Sequence, residues 1–340
     1  MLVASCGTIS ACMATFLAEL PYTKTQLQAA INNIDPTLWD NFANITPDTT
    51  VKPHLQKRLT TTTRKQCQTS YTTTLSAEEM SVYLSTGGKG AGSWLHPPTN
   101  NIIPLTNEHY TIAAKLRLNK PQTPNPTHCQ RHTDTRTCNQ PTNTQLHHAL
   151  SCSFGPHRNN RHNALRDALV TIIHNTTGQT PLIEQVLPTL NPTATTNHPD
   201  DTPSPLNRAD VAWFTSTGPV HMDIMVTSAF TTAALAGNHA SSITPGFANT
   251  SGEQYKRRKY APHPIVPILF EAHGRIGDDT LNFLGKLSKT LPEPEQAPMY
   301  HQAIQLLSTT LQRHNAKAIE AHLTNHLHPH QTHAAADATA

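Results

Sequence analysis

Between Asn160 and Leu287 the hydrophobic period changes from that of a helix to that of short strands and back again, and this change limits the possible folds more than any other feature. Asn160 offers an N-cap, Leu165, Ala168, Leu169, Ile172 and Ile173 recur at helical spacing, and Gly178 offers a stop. Three short strand-like segments follow, at Pro181 to Val186, Ala209 to Phe214 and Val220 to Thr227, the last two joined as a hairpin by Ser216-Thr217-Gly218-Pro219. The pattern from Glu253 to Tyr260 is helical again. Pro264 to Glu271 is an Ile- and Val-rich run of strand length, and Asp278 can cap a helix bearing Leu281, Phe283, Leu284 and Leu287. A helix, three strands, a helix, a strand and a helix predict an α/β fold, one mixed sheet covered by helices.

The flanks are poorer. Met13 to Leu20, the segment around Leu75 to Leu84, and Thr106 to Leu118 read as helices, separated by Thr-rich runs such as Thr60 to Thr63. Pro121 to Thr144 is rich in Pro, Asn and Thr and reads as a loop. We expect a mainly helical segment over 1–120, a loop region over 121–158, the α/β domain over 159–292, and a tail over 293–340. That tail would hold two helices, about Tyr300 to Asn315 and Ala316 to Leu327, before a disordered His/Ala/Thr end. Gly87, Gly88, Gly90 and Gly92 mark a turn rather than a phosphate cradle, because no Lys-Ser/Thr follows them. The opening MLVASCGTISACMATFLAEL lacks a positive n-region and carries Glu19, which favours a helix of a larger protein over a secretion signal. No later run of about 18 uncharged apolar residues predicts a membrane span.

Three acids fall at strand positions: Glu184, Asp210 and Asp223, with Lys256 following on a helix. Phosphodiester hydrolysis uses carboxylates to hold a hard divalent cation and gains from a nearby positive group. Strand alternation places His221, Asp223 and Met225 on the side away from Met222, Ile224 and Val226, so spacing alone favours a solvated strand acid at Asp223 over a ligand. Six cysteines are unevenly spread, which favours reduced thiols or metal ligation over a disulfide framework. Cys138, His148 and Cys152 offer three zinc-type donors, with Cys129 or His132 for a fourth; chance proximity in a chain with 22 histidines is the competing reading. A net charge of +3 announces no nucleic acid by itself, so clustering must carry that case. The densest cluster, Lys256-Arg257-Arg258-Lys259, fits a nuclear-localisation patch, a phosphate-binding patch or a solvated helix face.

Together these segments resemble the restriction-like endonuclease region of non-LTR retrotransposon polyproteins, which has the PD-(D/E)XK fold. The resemblance runs roughly from Gly90 to Leu291. It rests on Gly90-Ala91-Gly92-Ser93-Trp94-Leu95, His148-Ala149-Leu150-Ser151-Cys152 and Gly155. The most specific stretch is Arg161-His162-Asn163-Ala164-Leu165-Arg166-Asp167, and Arg208-Ala209-Asp210, Asp223-Ile224-Met225-Val226-Thr227, Lys256 and Lys259-Tyr260 complete it. It implies that Asp210 and Asp223 ligate catalytic Mg²⁺, that Glu184 assists, and that Lys256 is the motif lysine. It further implies that Arg161, His162, Arg166, Arg257, Arg258, Lys259 and Tyr260 meet nucleic acid. DNA, and possible element RNA, would be the partners, in the nucleus, with Zn²⁺ in a knuckle over 121–158. Two departures stand out. The family's knuckle opens with two closely spaced cysteines, whereas Thr135 stands three before Cys138, and residues 1–90 carry no polymerase motif such as Tyr-x-Asp-Asp. The resemblance therefore implies a fragment or a degenerate copy of a larger polyprotein, active as a nuclease or retained as an inactive nucleic-acid-binding remnant.

Overall fold

The computed structural model describes residues 55–99, 102–123, 127–133, 136–187, 208–229 and 241–327, with isolated positions 29, 32 and 234. The Met13 to Leu20 segment and the His/Ala/Thr end lie outside the described residues. The chain divides into two compact units, Met1–Ser76 and Ala77–Ala340. In the first, helix α1 (Leu55–Thr72) runs straight through Thr60 to Thr63, a run the sequence predicts as a separator of helices. Threonine costs only a few tenths of a kcal/mol per helical position. At the C-terminal end of α1 the hydroxyls of Thr72, Thr73 and Thr74 donate to the carbonyls of Thr69, Ser70 and Tyr71.

The second unit contains α2 (Ala77–Ser85), a 3-10 turn at Ser93–Leu95, α3 (Asn107–Arg117), α4 (His147–Ser151) and α5 (His157–Thr177). Strands β1 (Leu182–Val186), β2 (Arg208–Thr215) and β3 (Gly218–Thr227) follow, then α6 (Phe247–Tyr260), β4 (Ile265–Glu271), α7 (Asp278–Ser288) and α8 (Glu293–Leu327). The helix–three strands–helix–strand–helix order expected from the sequence is present. The four strands form one mixed sheet in the order β1-β2-β3-β4, with β1, β2 and β3 antiparallel in turn and β4 parallel to β3. Pro267 sits in β4 because β4 is an edge strand, where a missing N–H breaks no ladder.

One face of the sheet buries Val211, Met222, Ile224, Ile268 and Phe270 beneath Leu165, Leu169 and Ile173 of α5, Phe283, Leu284 and Leu287 of α7, and Ile304, Leu307 and Leu311 of α8. Fully burying one such side chain stabilises the fold by about 1.5–3 kcal/mol. The segments expected as separate, 121–158, 159–292 and the tail, thus share one compact unit. The two tail helices are one uninterrupted helix, α8, because its apolar positions continue at helical spacing to Ile319. Helix α6 covers the opposite sheet face, its Gly252 lying so close to Leu269 and Thr227 that a Cβ there would force the Leu269 side chain to shift.

Helix ends differ in detail from the sequence expectations. Helix α5 begins one turn before Asn160, directly behind Pro156, and ends as expected at Gly178, whose φ of +70° is easy only without a side chain. Asp278 is the first residue of α7 rather than its cap; Gly277 takes the cap position, and the Asp279 N–H donates to Glu253 Oε1 at 3.2 Å. No helix among the described residues is long and apolar enough to cross a membrane.

Candidate functional site

The β2–β3 ladder pairs Val211 with Met222, and one step further along it sets Asp210 opposite Asp223. Both side chains lie on the face covered by α6. Asp223 is 4% exposed and Asp210 9%, so neither is a solvated strand acid. α6 is what buries Asp223: Tyr260 Oη lies 2.5 Å from Asp223 Oδ1 and 2.7 Å from the Arg208 carbonyl, and Lys256 Nζ is ion-paired with Asp223 Oδ2. Lys256 and Tyr260 are four residues apart and so share a helix face. Asp210 is held as closely. Its Oδ2 accepts the Ile224 N–H at 2.6 Å, and its Oδ1 lies 3.2 Å from His162 Nε2, which α5 brings over the end of β2.

Burial pushes the Asp223 carboxyl above the usual carboxylate range; Lys256 opposes that shift and the charge of Asp210 reinforces it. Burial, and then Asp223 itself, push the Tyr260 phenol up, which keeps it a hydrogen-bond donor. The arrangement is two opposed, desolvated carboxylates, with one ammonium seated on Asp223 and an imidazole beside Asp210.

Glu184 takes a different place. The ladder pairs Ile183 with Val211 and Gln185 with Ala209, which sets Glu184 across from Asp210. Its φ of +55° is a left-handed conformation that a non-glycine residue adopts at a cost. Its exposed carboxylate accepts from Arg166 Nη1 at 3.0 Å, and Arg166 also binds Asp167. No third acid joins Asp210 and Asp223 to make a metal-holding group among the described residues.

Several residues expected to meet nucleic acid have partners within the fold. Arg161 is buried, and its guanidinium donates to Asn315 Oδ1 at 2.8 Å and to the Leu150 carbonyl at 2.9 Å, tying α5 to α8 and α4. Tyr260 is buried against Asp223, and His162 faces Asp210. Arg257 is ion-paired with Asp279, while Arg258 and Lys259 are exposed, the latter 5.3 Å from the centre of the Tyr260 ring.

A second constellation lies at α4. Cys129, Cys138, His148 and Cys152 place their donor atoms within 4.8 Å of one another, so these four side chains could hold a metal ion. His132, the other possible fourth donor, is not among them. Cys129 and Cys138 stand on two stretches paired antiparallel, with bridges His128–Pro141 and His132–Thr137. Cys129 N–H donates to the Gln140 carbonyl and Cys138 N–H to the Arg131 carbonyl, both at 2.8 Å. Strand pairing thus brings together two cysteines that short spacing would otherwise have to align. Cys129–Cys152 and Cys138–Cys152 sulfur separations are 3.8 and 3.7 Å, and Cys138 Sγ to His148 Nε2 is 3.3 Å. Tetrahedral Zn–S bonds of about 2.3 Å require S–S edges of about 3.8 Å. Hydrogen bonding from Cys129, and then from His148, draws the Cys152 thiol down to about 3, while burial pushes Cys138 up. Sequence spacing gave no hint of His322, which α8 places with Nδ1 3.6 Å from Cys129 Sγ.

The chain matches no protein-family model, no curated protein and no solved structure. Its chemistry rests on the geometry above.

Proposed function

We propose that the chain is a DNA endonuclease module of PD-(D/E)XK type, related to the restriction-like endonucleases of non-LTR retrotransposons and acting in the nucleus. One observation carries the reading: Lys256 of α6 is seated on buried Asp223, whose ladder neighbour is Asp210. In the motif that names the fold, the lysine stands two residues after the second acid. Here that position is Met225, and the ammonium arrives from a helix instead. The α5-β1-β2-β3-α6-β4 order agrees with the same plan.

Asp210 and Asp223 would hold Mg²⁺. Their donor set fits, since two carboxylates that repel across one rung are relieved by a hard divalent cation. When bound, the ion supplies charge neutralisation at phosphorus and an activated water. The chain's own groups do the rest. Tyr260 and the Ile224 N–H fix one oxygen of each carboxylate, while the other oxygens would exchange Lys256 and His162 for the ion. Lys256 sits where it can stabilise charge on the phosphate. The α4 cluster would hold structural Zn²⁺ in a variant knuckle, with His322 as an outer hydrogen-bond partner to Cys129.

A second reading has its own observation. Every oxygen of the two carboxylates already has a protein partner: Ile224 N–H and His162 on Asp210, Tyr260 and Lys256 on Asp223. Such a closed network suits a nucleic-acid-binding remnant without turnover. Supercoiled-plasmid nicking with and without Mg²⁺, on wild type and Asp223→Asn, separates the two. Mg²⁺-dependent nicking lost in the variant supports the nuclease; DNA binding with no nicking in either protein selects the remnant.

A further inference from the structure

A groove of about 840 Å³ opens along the outer side of β4, between it and α7. Lys89, Arg257, Lys286 and Lys289 line it, against Asp278 and Asp279. Asp279 is already taken by Arg257, which leaves the three lysines facing Asp278 alone. The lysines are exposed, and Lys89 lies 4.7 Å above the ring of Tyr300. In a chain whose total excess is only +3, this is a strong local concentration of positive charge. Part of the groove wall is the outer edge of β4, the last strand in the sheet order. At Leu269 the α7 entry closes β4, since Leu269 N–H donates to Thr280 Oγ1 at 2.8 Å and its carbonyl accepts from Gly277 N–H at 2.9 Å. Before that point Ile265, Val266 and Pro267 line the groove wall.

Two of the groove's residues adjoin the carboxylate site. Pro267 pairs in register with Asp223, and Arg257 follows Lys256 on α6. A linear polyanion lying in the groove would therefore run along β4, the strand that pairs with the Asp223 strand. We infer that this groove is the track for the phosphate backbone of duplex DNA beside the cleaved bond, with Lys89, Lys286 and Lys289 as its phosphate contacts. The inference rests on the nuclease reading for the identity of the polymer. Three exposed cations held by no carboxylate supply backbone affinity and no base readout.

The test is DNA binding across a salt series, together with nicking kinetics, for wild type, the triple variant Lys89→Ala/Lys286→Ala/Lys289→Ala, Lys120→Ala as an exposed-cation control, and Asp223→Asn. Removing one phosphate-binding cation lowers the log–log salt slope by about 0.9. The triple variant should flatten the slope by about 2 to 3 and raise KM, leaving kcat near wild type, while Lys120→Ala and Asp223→Asn keep the wild-type slope. A triple variant with the wild-type slope overturns the track. So does a slope that changes for duplex RNA and not for DNA. Wild-type protein that binds with the predicted lysine dependence but never nicks overturns the nuclease reading and leaves the track standing. Wild-type protein that binds no DNA overturns both.

Discussion

Stripping metal from the Cys129, Cys138, His148 and Cys152 cluster should destabilise the second unit and release α8 first. The cluster joins the paired stretches that carry Cys129 and Cys138 to α4, and α8 is fastened over it: Arg131 donates to the Ala318 carbonyl, and His322 lies against Cys129. An ion that binds only the folded state stabilises it by RT ln(1 + [L]/Kd), which is about 2.7 kcal/mol at a hundred-fold excess over Kd and about 4.1 at a thousand-fold. A domain of this size moves its Tm by roughly 2–4 °C per kcal/mol. Chelation should therefore lower Tm by roughly 5–15 °C. Elemental analysis of purified protein should find about one zinc per chain. Hydrogen exchange on the chelated protein should show protection disappearing around Ala318 to His322 and the paired stretches before it disappears in β3 and β4. Cys138→Ser should reproduce the chelator's effect and be insensitive to further chelation. Metal-free protein whose Tm is unmoved by chelator, by added zinc and by Cys138→Ser would refute the reasoning, and the cluster would then be an ordinary thiol-lined core.

Lys256→Ala should reduce nicking steeply while DNA affinity stays near wild type, because its ammonium is spent on Asp223; exposed Arg258→Ala should instead shift affinity and the salt slope, and equal effects from both would show the basic run to be a simple patch. Acid should unfold the second unit as pH falls from 6.5 to about 4. Burial holds His147 at about 4 and depresses His273 and His314 in the same direction, so the unfolded state takes up protons first in that window, at a cost of about 3 kcal/mol for His147; circular dichroism of His147→Gln should show a later acid transition. Gly252→Ala should cost about 1–3 kcal/mol in urea melts, since its Cβ would meet Leu269 and stand 3.1 Å from Thr227 Cγ2, lifting α6 from the sheet that carries Asp223.

Periodicity alone was enough to find α5, the β2–β3 hairpin, β4 and α7, because each buries a continuous apolar stripe on a single core. It undersold α6, which begins at Phe247 rather than near Glu253: a helix whose first half lies on a sheet through Gly252 and Ala248 has little apolar bulk to advertise. The same limit hid the role of α8, whose buried polar residues Gln305, Gln312 and Asn315 dilute its apolar spacing, Gln305 and Asn315 donating to the carbonyls of Pro97 and Ala272. At the site, Asp210, Asp223 and Lys256 were legible as residue types. The work of Tyr260 and His162 was not, since both suit an exposed nucleic-acid face equally well. Cys129 was legible only as one of two choices, for what selects it over His132 is a matter of backbone pairing.

Asp223 offers a test of whether its surroundings serve chemistry or stability. A carboxyl whose folded-state pKa is raised contributes stability below its unfolded pKa and loses it as pH rises through the folded value, so at neutral pH the charge on Asp223 opposes folding. Asp223→Asn keeps an oxygen for the Tyr260 hydroxyl, removes the like-charge contact with Asp210 and frees the long Lys256 side chain to turn toward solvent. The variant should melt above wild type at neutral pH, and the gap should close as pH falls below about 4, where the wild-type carboxyl protonates even when unfolded. A folded state that tolerates such a penalty implies a use for the charge, as at a metal-binding catalytic site. If the variant instead melts well below wild type at neutral pH and the two converge in acid, the Lys256–Asp223 pair outweighs the burial cost. The carboxylate would then be a structural ion pair, which is the outcome the remnant reading requires.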